Sequence, residues 1–235
     1  MDPRSLEALN AARRTRRAAI LVTDLSAGTD RVIVEGSVET GPLAEAAAKG
    51  FRSGVSTSVS AGGRDYFLNV HLPRPRLMVI GAVHISQALA PMAKIAGFEL
   101  EIVDPRTAFA TPERFPDVTL HAEWPDAVLE RSPLDAHTAV AALTHDPKID
   151  DPVLDAALRA DCFYVGALGS RKTHAKRVER LLAAGHAAGA IDTIHAPIGL
   201  DIGAASPAEI AVAVLAEVIG ALRSRGLAAR QGHAA

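Results

Sequence analysis

Four short stretches concentrate the residues able to bind or react: Gly81-Ala82-Val83-His84, Asp104-Pro105-Arg106, Thr144-His145-Asp146-Pro147-Lys148, and Gly166-Ala167-Leu168-Gly169-Ser170-Arg171-Lys172. Each follows an apolar run, so polar and glycine-rich segments stand where buried strands should end. In the last stretch, Gly166 and Gly169 allow backbone amides to converge. Ser170 can cap the helix that follows and leave other amides open to an anion. Arg171, Lys172, His174, Lys176, Arg177 and Arg180 come next, either as part of an anion site or as a solvated basic face. His145 and Asp146 read as a ligand-facing pair, as an acid–base pair if chemistry occurs, or as an Asx-type turn at Asp146-Pro147. Asp150-Asp151, just before Pro152, reads as a helix cap.

The first stretch is an incomplete dinucleotide fingerprint. In G-x-G-x-x-G the glycines make the turn, admit pyrophosphate and let helix and strand pack. Here the three positions hold Gly81, Val83 and Ser86. Valine stands where bare backbone is needed, so an ordinary strand–helix turn competes with phosphate binding. Asp104 occurs where a ribose-binding acid belongs, with Arg106 two residues on. A fifth segment, His195-Ala196-Pro197-Ile198-Gly199-Leu200-Asp201-Ile202-Gly203, precedes the last helix. Its Gly199 and Asp201 serve either a backbone turn or a ligand. No H-E-x-x-H pattern occurs, and no metal site is expected.

These loops need a scaffold. Leu77–Ile80, Leu100–Val103, Val118–Leu120, Thr138–Leu143 and Cys162–Val165 read as strands. Helices are expected over about 84–96, 152–159, 170–182 and 207–223. Strands alternating with helices predict an α/β fold with a doubly wound parallel sheet, whose ligands bind beyond the carboxyl ends of the strands. Before Pro73-Arg74-Pro75 the pattern differs. A helix near residues 2–17 comes first, then strands 18–25 and 31–35. A short helix over 42–50 follows, and then strands 55–60 and 65–70 turning at Gly62-Gly63. This predicts a small N-terminal α+β domain over 1–72 and a larger domain over 73–235, its last ten residues frayed.

The 235 residues are 49% hydrophobic and only 4% aromatic, so aliphatic residues must fill the core. A net charge of −2 argues against nucleic-acid binding through a basic surface. The short apolar runs argue against membrane insertion. Cys162, the one cysteine, cannot form an intrachain disulfide; a buried thiol and a cytoplasmic setting are expected.

Several longer strings resemble the xanthine dehydrogenase accessory (XdhC/CoxI) family: Phe109-Ala110-Thr111-Pro112-Glu113-Arg114-Phe115-Pro116, Leu143–Lys148, Tyr164–His174 and His195–Gly203. They fall in the family's order between Pro73 and about Arg225. The resemblance implies a Rossmann-like domain that binds a molybdopterin-type molybdenum cofactor, in simple or dinucleotide form. It also implies help with sulfuration of that cofactor or its insertion into a molybdenum hydroxylase of the xanthine or CO dehydrogenase type. The partners implied are that target enzyme, a cysteine desulfurase and a second copy of the chain in a homodimer. The role is that of a chaperone rather than a catalyst. Gly81, His84, Asp104, Arg106, His145, Asp146, Gly166, Gly169, Ser170, Arg171, Gly199 and Asp201 are the expected cofactor contacts. The family's Gly-Ala-Gly-His reads Gly-Ala-Val-His here, and Gly36–Gly41 lacks the cysteine usual in the N-terminal glycine-rich segment. The alternatives are an NAD(P)- or FAD-dependent oxidoreductase and a docking scaffold without ligand.

Overall fold

The structure is a computed structural model describing residues 1–231, with side chains described through residue 224. The fraying expected at the C-terminus falls on positions whose side chains, and for 232–235 whose backbone, lie outside that range. The chain divides into two units, Met1–Pro73 with Arg223–Ala235, and Arg74–Leu222. Among the described residues no helix is long and apolar enough to cross a membrane.

The first unit holds α1 (Pro3–Arg14), β1 (Ala19–Asp24), β2 (Asp30–Val34), α2 (Ala44–Ser53), β3 (Thr57–Ala61) and β4 (Arg64–His71). The strands form an antiparallel sheet in the order β2-β1-β4-β3. β1 is apolar on both faces for a structural reason. Ile20 and Val22 enter a core with Leu43 and Ala47 around α2, while Ala19 and Leu21 pack with Leu9 and Ala12 of α1. Strand residues alternate between faces, so a strand covered on both sides must be continuously apolar.

The second unit contains β5 (Arg76–Ile80), α3 (His84–Ile95), β6 (Glu99–Val103), β7 (Thr119–His121), α4 (Pro125–Arg131) and β8 (Thr138–Ala142). It continues with α5 (Pro147–Arg159), β9 (Tyr164–Ala167), α6 (Arg171–Ala183), α7 (Ala188–Ile191) and the part of α8 (Pro207–Gln231) up to Leu222. Its five strands are all parallel, in the order β7-β6-β5-β8-β9. Leu77, Val79, Ala139, Ala141 and Tyr164 pack on one face with residues of α3 and α8. Met78, Ile80, Val140, Ala142, Val165 and Ala167 pack on the other with residues of α4, α5, α6 and α7. Each fully buried aliphatic side chain contributes about 1.5–3 kcal/mol, so these two cores fix the sheet that carries the loops. This is the Rossmann-like, doubly wound arrangement expected.

Three local expectations need correction. Helix α5 begins five residues early because Asp146, not the Asp150-Asp151 pair, is its cap, accepting a bond from the Lys148 amide at 2.9 Å. Pro147 suits the first helical position, where no amide partner is required. Strand β9 lies two residues later than expected, since Tyr164 to Ala167 pair with Ala139 to Ala142. Cys162 therefore precedes the strand, half-buried against the second core. The short helices α4 and α7 gave no clear periodicity.

Candidate functional site

The chain runs outward from β5 through β6 to β7, then returns to the far side of β5 for β8. That reversal opens a crevice beyond the carboxyl ends of β5 and β8. Gly81 sits at its base with φ +116°. A Cβ there would stand 3.0 Å from the Thr144 methyl and 3.4 Å from the backbone after β8. Gly81 is therefore required for close packing of two strand ends. Val83 follows at the cap position of α3 and makes no side-chain cap bond. At the third fingerprint position Ser86 is fully buried, and its hydroxyl bonds the Gly81 carbonyl. His84 begins α3 and is exposed.

Asp104 does not face a ligand. It is fully buried, and its two oxygens accept from the Ala82 amide (2.7 Å), the Arg106 amide (2.9 Å), Arg106 Nε (2.9 Å) and an Arg106 terminal nitrogen (2.7 Å). Those bonds take the full acceptor capacity of a carboxylate. Burial alone would raise its pKa, but the guanidinium and the two amides overcome this and hold it below the ordinary aspartate range. The expected ribose acid is instead an internal brace. It ties the β5–α3 turn to Arg106 and fixes where that cation stands.

Arg106 also lies over the Phe109 ring, 4.8 Å from its centre. Arg114 reaches the same ring at 5.9 Å. It holds the loop down through the Ala82 carbonyl (3.0 Å), the Phe109 carbonyl (2.7 Å) and the Gln87 side chain (3.0 Å). The result is a cleft of about 350 Å³ lined by Val83, His84, Arg106, Ala108, Phe109 and Arg114. Its lining contains three groups able to carry positive charge and no acid. Phe109 is 45% exposed there. Sequence reasoning missed Phe109 and Arg114 as site residues. The arginine between two aromatics in Phe109–Phe115 was the signal.

Beyond β8, His145 is exposed in the left-handed region at φ +63°. Such a conformation is uncommon for a side-chain-bearing residue and is held by its surroundings. Thr144 provides the hold: its hydroxyl accepts from the Asp146 amide at 3.0 Å and donates to Asp150 at 2.7 Å. Gly169, after β9, approaches the same histidine, since a Cβ built there would lie 3.8 Å from His145 Nδ1. Ser170 caps α6 by accepting from the Thr173 amide at 3.2 Å, and Arg171 is exposed beside it. Arg106 feels the charges of both Asp146 and Asp150, so the loops after β6 and β8 face one another. The basic run is only partly available. Arg177 is buried and donates to the Leu168 carbonyl at 3.1 Å, while Arg180 pairs with Asp151.

Two expected contact glycines are packing glycines. Gly166 lies inside β9, where a Cβ would come 2.5 Å from the Tyr164 hydroxyl and 2.6 Å from Ile198. Gly199, at φ +92°, would place a Cβ 3.0 Å from the Val214 nitrogen of α8. Its amide donates to Glu217 at 2.8 Å. Glu217 also accepts the Tyr164 hydroxyl at 2.7 Å and pairs with His195 Nδ1 at 3.0 Å, and His195 stacks on Tyr164. Nothing in the sequence marked Glu217 as the partner that fixes this segment. Asp201 is exposed, and no hydrogen bond or ion pair joins it to the other site residues. Among the described residues no cluster of histidine, cysteine and acids is placed to hold a metal ion.

A family model described as the XdhC Rossmann domain matches residues 77–218, which hold nearly all of the parallel sheet and its loops. The chain belongs to the XdhC family. Among curated relatives, the Escherichia coli protein YqeB, itself uncharacterized, is 36% identical over 67% of this chain and 29% of its own length. A probable xanthine dehydrogenase subunit from Bacillus subtilis is 34% identical over 63% of this chain and 43% of its own. The molybdenum cofactor insertion chaperone PaoD of Escherichia coli is 34% identical over 62% and 40%. The matches thus span less than half the length of each relative. A crystal structure described as a xanthine dehydrogenase from Bacillus halodurans superposes with a TM-score of 0.68 at 24% identity. It covers 96% of this chain and 68% of that one, a likeness of fold.

Proposed function

We propose that the crevice binds the molybdenum cofactor by its phosphate and flat pterin, and that the chain serves as a maturation factor for a molybdenum hydroxylase. One observation carries this reading. Arg106, locked by the buried Asp104, stands with His84 and the exposed Phe109 ring in an acid-free cleft built from the loops after β5 and β6. Molybdopterin presents a phosphate or nucleotide diphosphate beside a planar ring, and a guanidinium next to an aromatic suits both. Arg106 and His84 would hold the phosphate, and Phe109 would contact the ring. His145, Asp146 and the Gly169–Arg171 turn would border the remainder. Val83 lies where a dinucleotide needs bare backbone, which favours this mode over ordinary NAD(P) or FAD binding. The bound cofactor would supply the metal and its exchangeable ligands, and the residues of this chain would hold and shield it. The name of the PaoD relative supports an insertion role, with the target hydroxylase as principal partner. A cysteine desulfurase and a second copy of the chain are further partners of the same proposal.

Protein purified without oxygen and then oxidised should release a fluorescent pterin. Arg106→Ala with His84→Ala should lower the recovered pterin about tenfold or more, since each charged hydrogen bond contributes roughly 1.5–3 kcal/mol. A wild-type protein that carries no pterin, even after cofactor is supplied, removes the proposal.

A further inference from the structure

Helix α8 is apolar on both its inner and its outer side. The inner side enters the core, where Ala211, Val214, Leu215 and Val218 are buried. The outer side shows Glu209, Val212, Ala216, Gly220 and Arg223, all exposed, with Val212 at 48%. At 3.6 residues per turn these five positions fall within an arc of about 80°, one narrow stripe along the helix. The outer stripe of a surface helix is normally charged. Here Glu217 is the one charged residue between Glu209 and Arg223, and it turns away to Tyr164, His195 and Gly199. Above Gly220 the space is open, since a Cβ built there meets nothing within 4 Å. Beside the stripe, the Leu200 amide donates to the Ala213 carbonyl at 3.2 Å, and Leu200 and Ile202 are 46% and 56% exposed.

We propose that this face of α8 docks a second copy of the chain, the two helices crossing antiparallel about a two-fold axis at Ala216. The spacing of the stripe carries the choice of partner. Val212 and Gly220 stand four residues to either side of Ala216, and Glu209 and Arg223 stand seven. A two-fold contact sets each residue against its mirror position. Val212 therefore enters the opening over the partner's Gly220, and Ala216 meets the partner's Ala216 where the backbones come closest. Small residues at such a crossing let the axes approach to about 8 Å. At both ends Glu209 faces the partner's Arg223. Its Oε2 accepts the Ala205 and Ser206 amides at 2.7 and 3.0 Å, and Oε1 is left for the guanidinium. The stripe is thus complementary to its own reversed copy in size and in charge, which an unrelated surface has no reason to be. The contact uses none of the residues assigned to the crevice and does not depend on what the crevice binds.

Sedimentation of the full chain should show a dimer that dissociates on dilution. Ala216→Glu, which sets two carboxylates face to face on the axis, should weaken it about 100-fold or more. Gly220→Val, which closes the opening that Val212 enters, should weaken it about tenfold. Glu209→Gln keeps the helix cap. This variant and Arg223→Gln should each weaken the dimer about threefold to tenfold, and the double variant no more than either alone. Should a variant fail to fold, cross-linking decides. With Cys162→Ser as background, Ala216→Cys should form a disulfide-linked dimer under mild oxidation, because facing residues on the axis lie within disulfide reach. Ile95→Cys, at a position 86% exposed on α3, should not. A chain that is monomeric up to about 0.1 mM, or a dimer that survives Ala216→Glu, overturns the inference. Additive losses at Glu209 and Arg223, or an Ala216→Cys chain that does not cross-link, do the same. A dimer that carries no pterin, even after cofactor is supplied, leaves this inference standing and removes the molybdenum reading alone.

Discussion

At the β5–β6 side of the carboxyl edge, an acid is buried so that a cation can be presented. Asp104 disappears beneath the loop, and Arg106 emerges beside Phe109 in an open cleft. At the β9 side, equally suggestive residues turn inward. Gly166 lets Ile198 and the Tyr164 hydroxyl close on the strand, and Gly199 lets its segment lie against α8. Both sides offer glycines just past apolar strands. On the β5–β6 side a buried acid presents a cation to a cleft, whereas Gly166 and Gly199 serve packing within the protein. A glycine at a strand end signals close approach of something. Whether that is a ligand or the protein itself depends on what packs above it.

The strongest test of this contrast is Gly166→Val. With no room for a Cβ, the variant should lose about 3 kcal/mol or fail to fold, as read from a denaturant melt. A stable Gly166→Val chain that has lost pterin would return Gly166 to the binding side. Gly199→Ala should cost about 2 kcal/mol, from the left-handed backbone and the contact with Val214.

Asp104→Asn comes next, at about 2 kcal/mol near neutral pH, because it strips charge from the bonds that hold Arg106. The folded pKa of Asp104 is depressed, so its contribution is present above the ordinary aspartate range and lost as pH falls through the folded value. The gap between variant and wild type should therefore narrow in acid. Arg106→Ala should cost at least about 2 kcal/mol, because it leaves the buried Asp104 carboxylate with only two amide partners, and binding should fall as well.

Asp150→Asn should act with the opposite sign. Its folded pKa of about 6 lies above the unfolded value, so the native state binds more protons between those limits. Stability from this group therefore falls as pH rises through that window. The variant should melt about 3 °C higher at pH 7.5, for roughly 1 kcal/mol in a chain of this size, with no gain at pH 4. Equal gains at both pH values would mean that charge burial is not the cause. The smallest effect is expected for Asp201→Ala, within about 0.5 kcal/mol in a melt because the residue is exposed. Its effect on pterin recovery then tells whether the β9 side reaches the ligand at all.

Much of the scaffold was legible because parallel strands buried on both faces leave unbroken apolar runs, as Leu77–Ile80 and Thr138–Ala142 do. Helices α4 and α7 were not, since seven and four residues are too few for a periodic pattern to show. In the site, His84, His145 and Ser170 stand at loop mouths as their spacing suggested. The fates of Asp104, Gly166 and Arg177 were hidden, because each depends on what packs around it in the fold.

The sequence alone determined the order of the strands and of the longer helices, and membership of the XdhC family. Those rest on periodicity and on strings of adjacent residues, which are local properties. Only the tertiary structure decided which charged groups meet solvent and which are spent inside. That choice turns on desolvation and on hydrogen bonds between distant segments, such as Asp104 with Ala82 and Gly199 with Glu217.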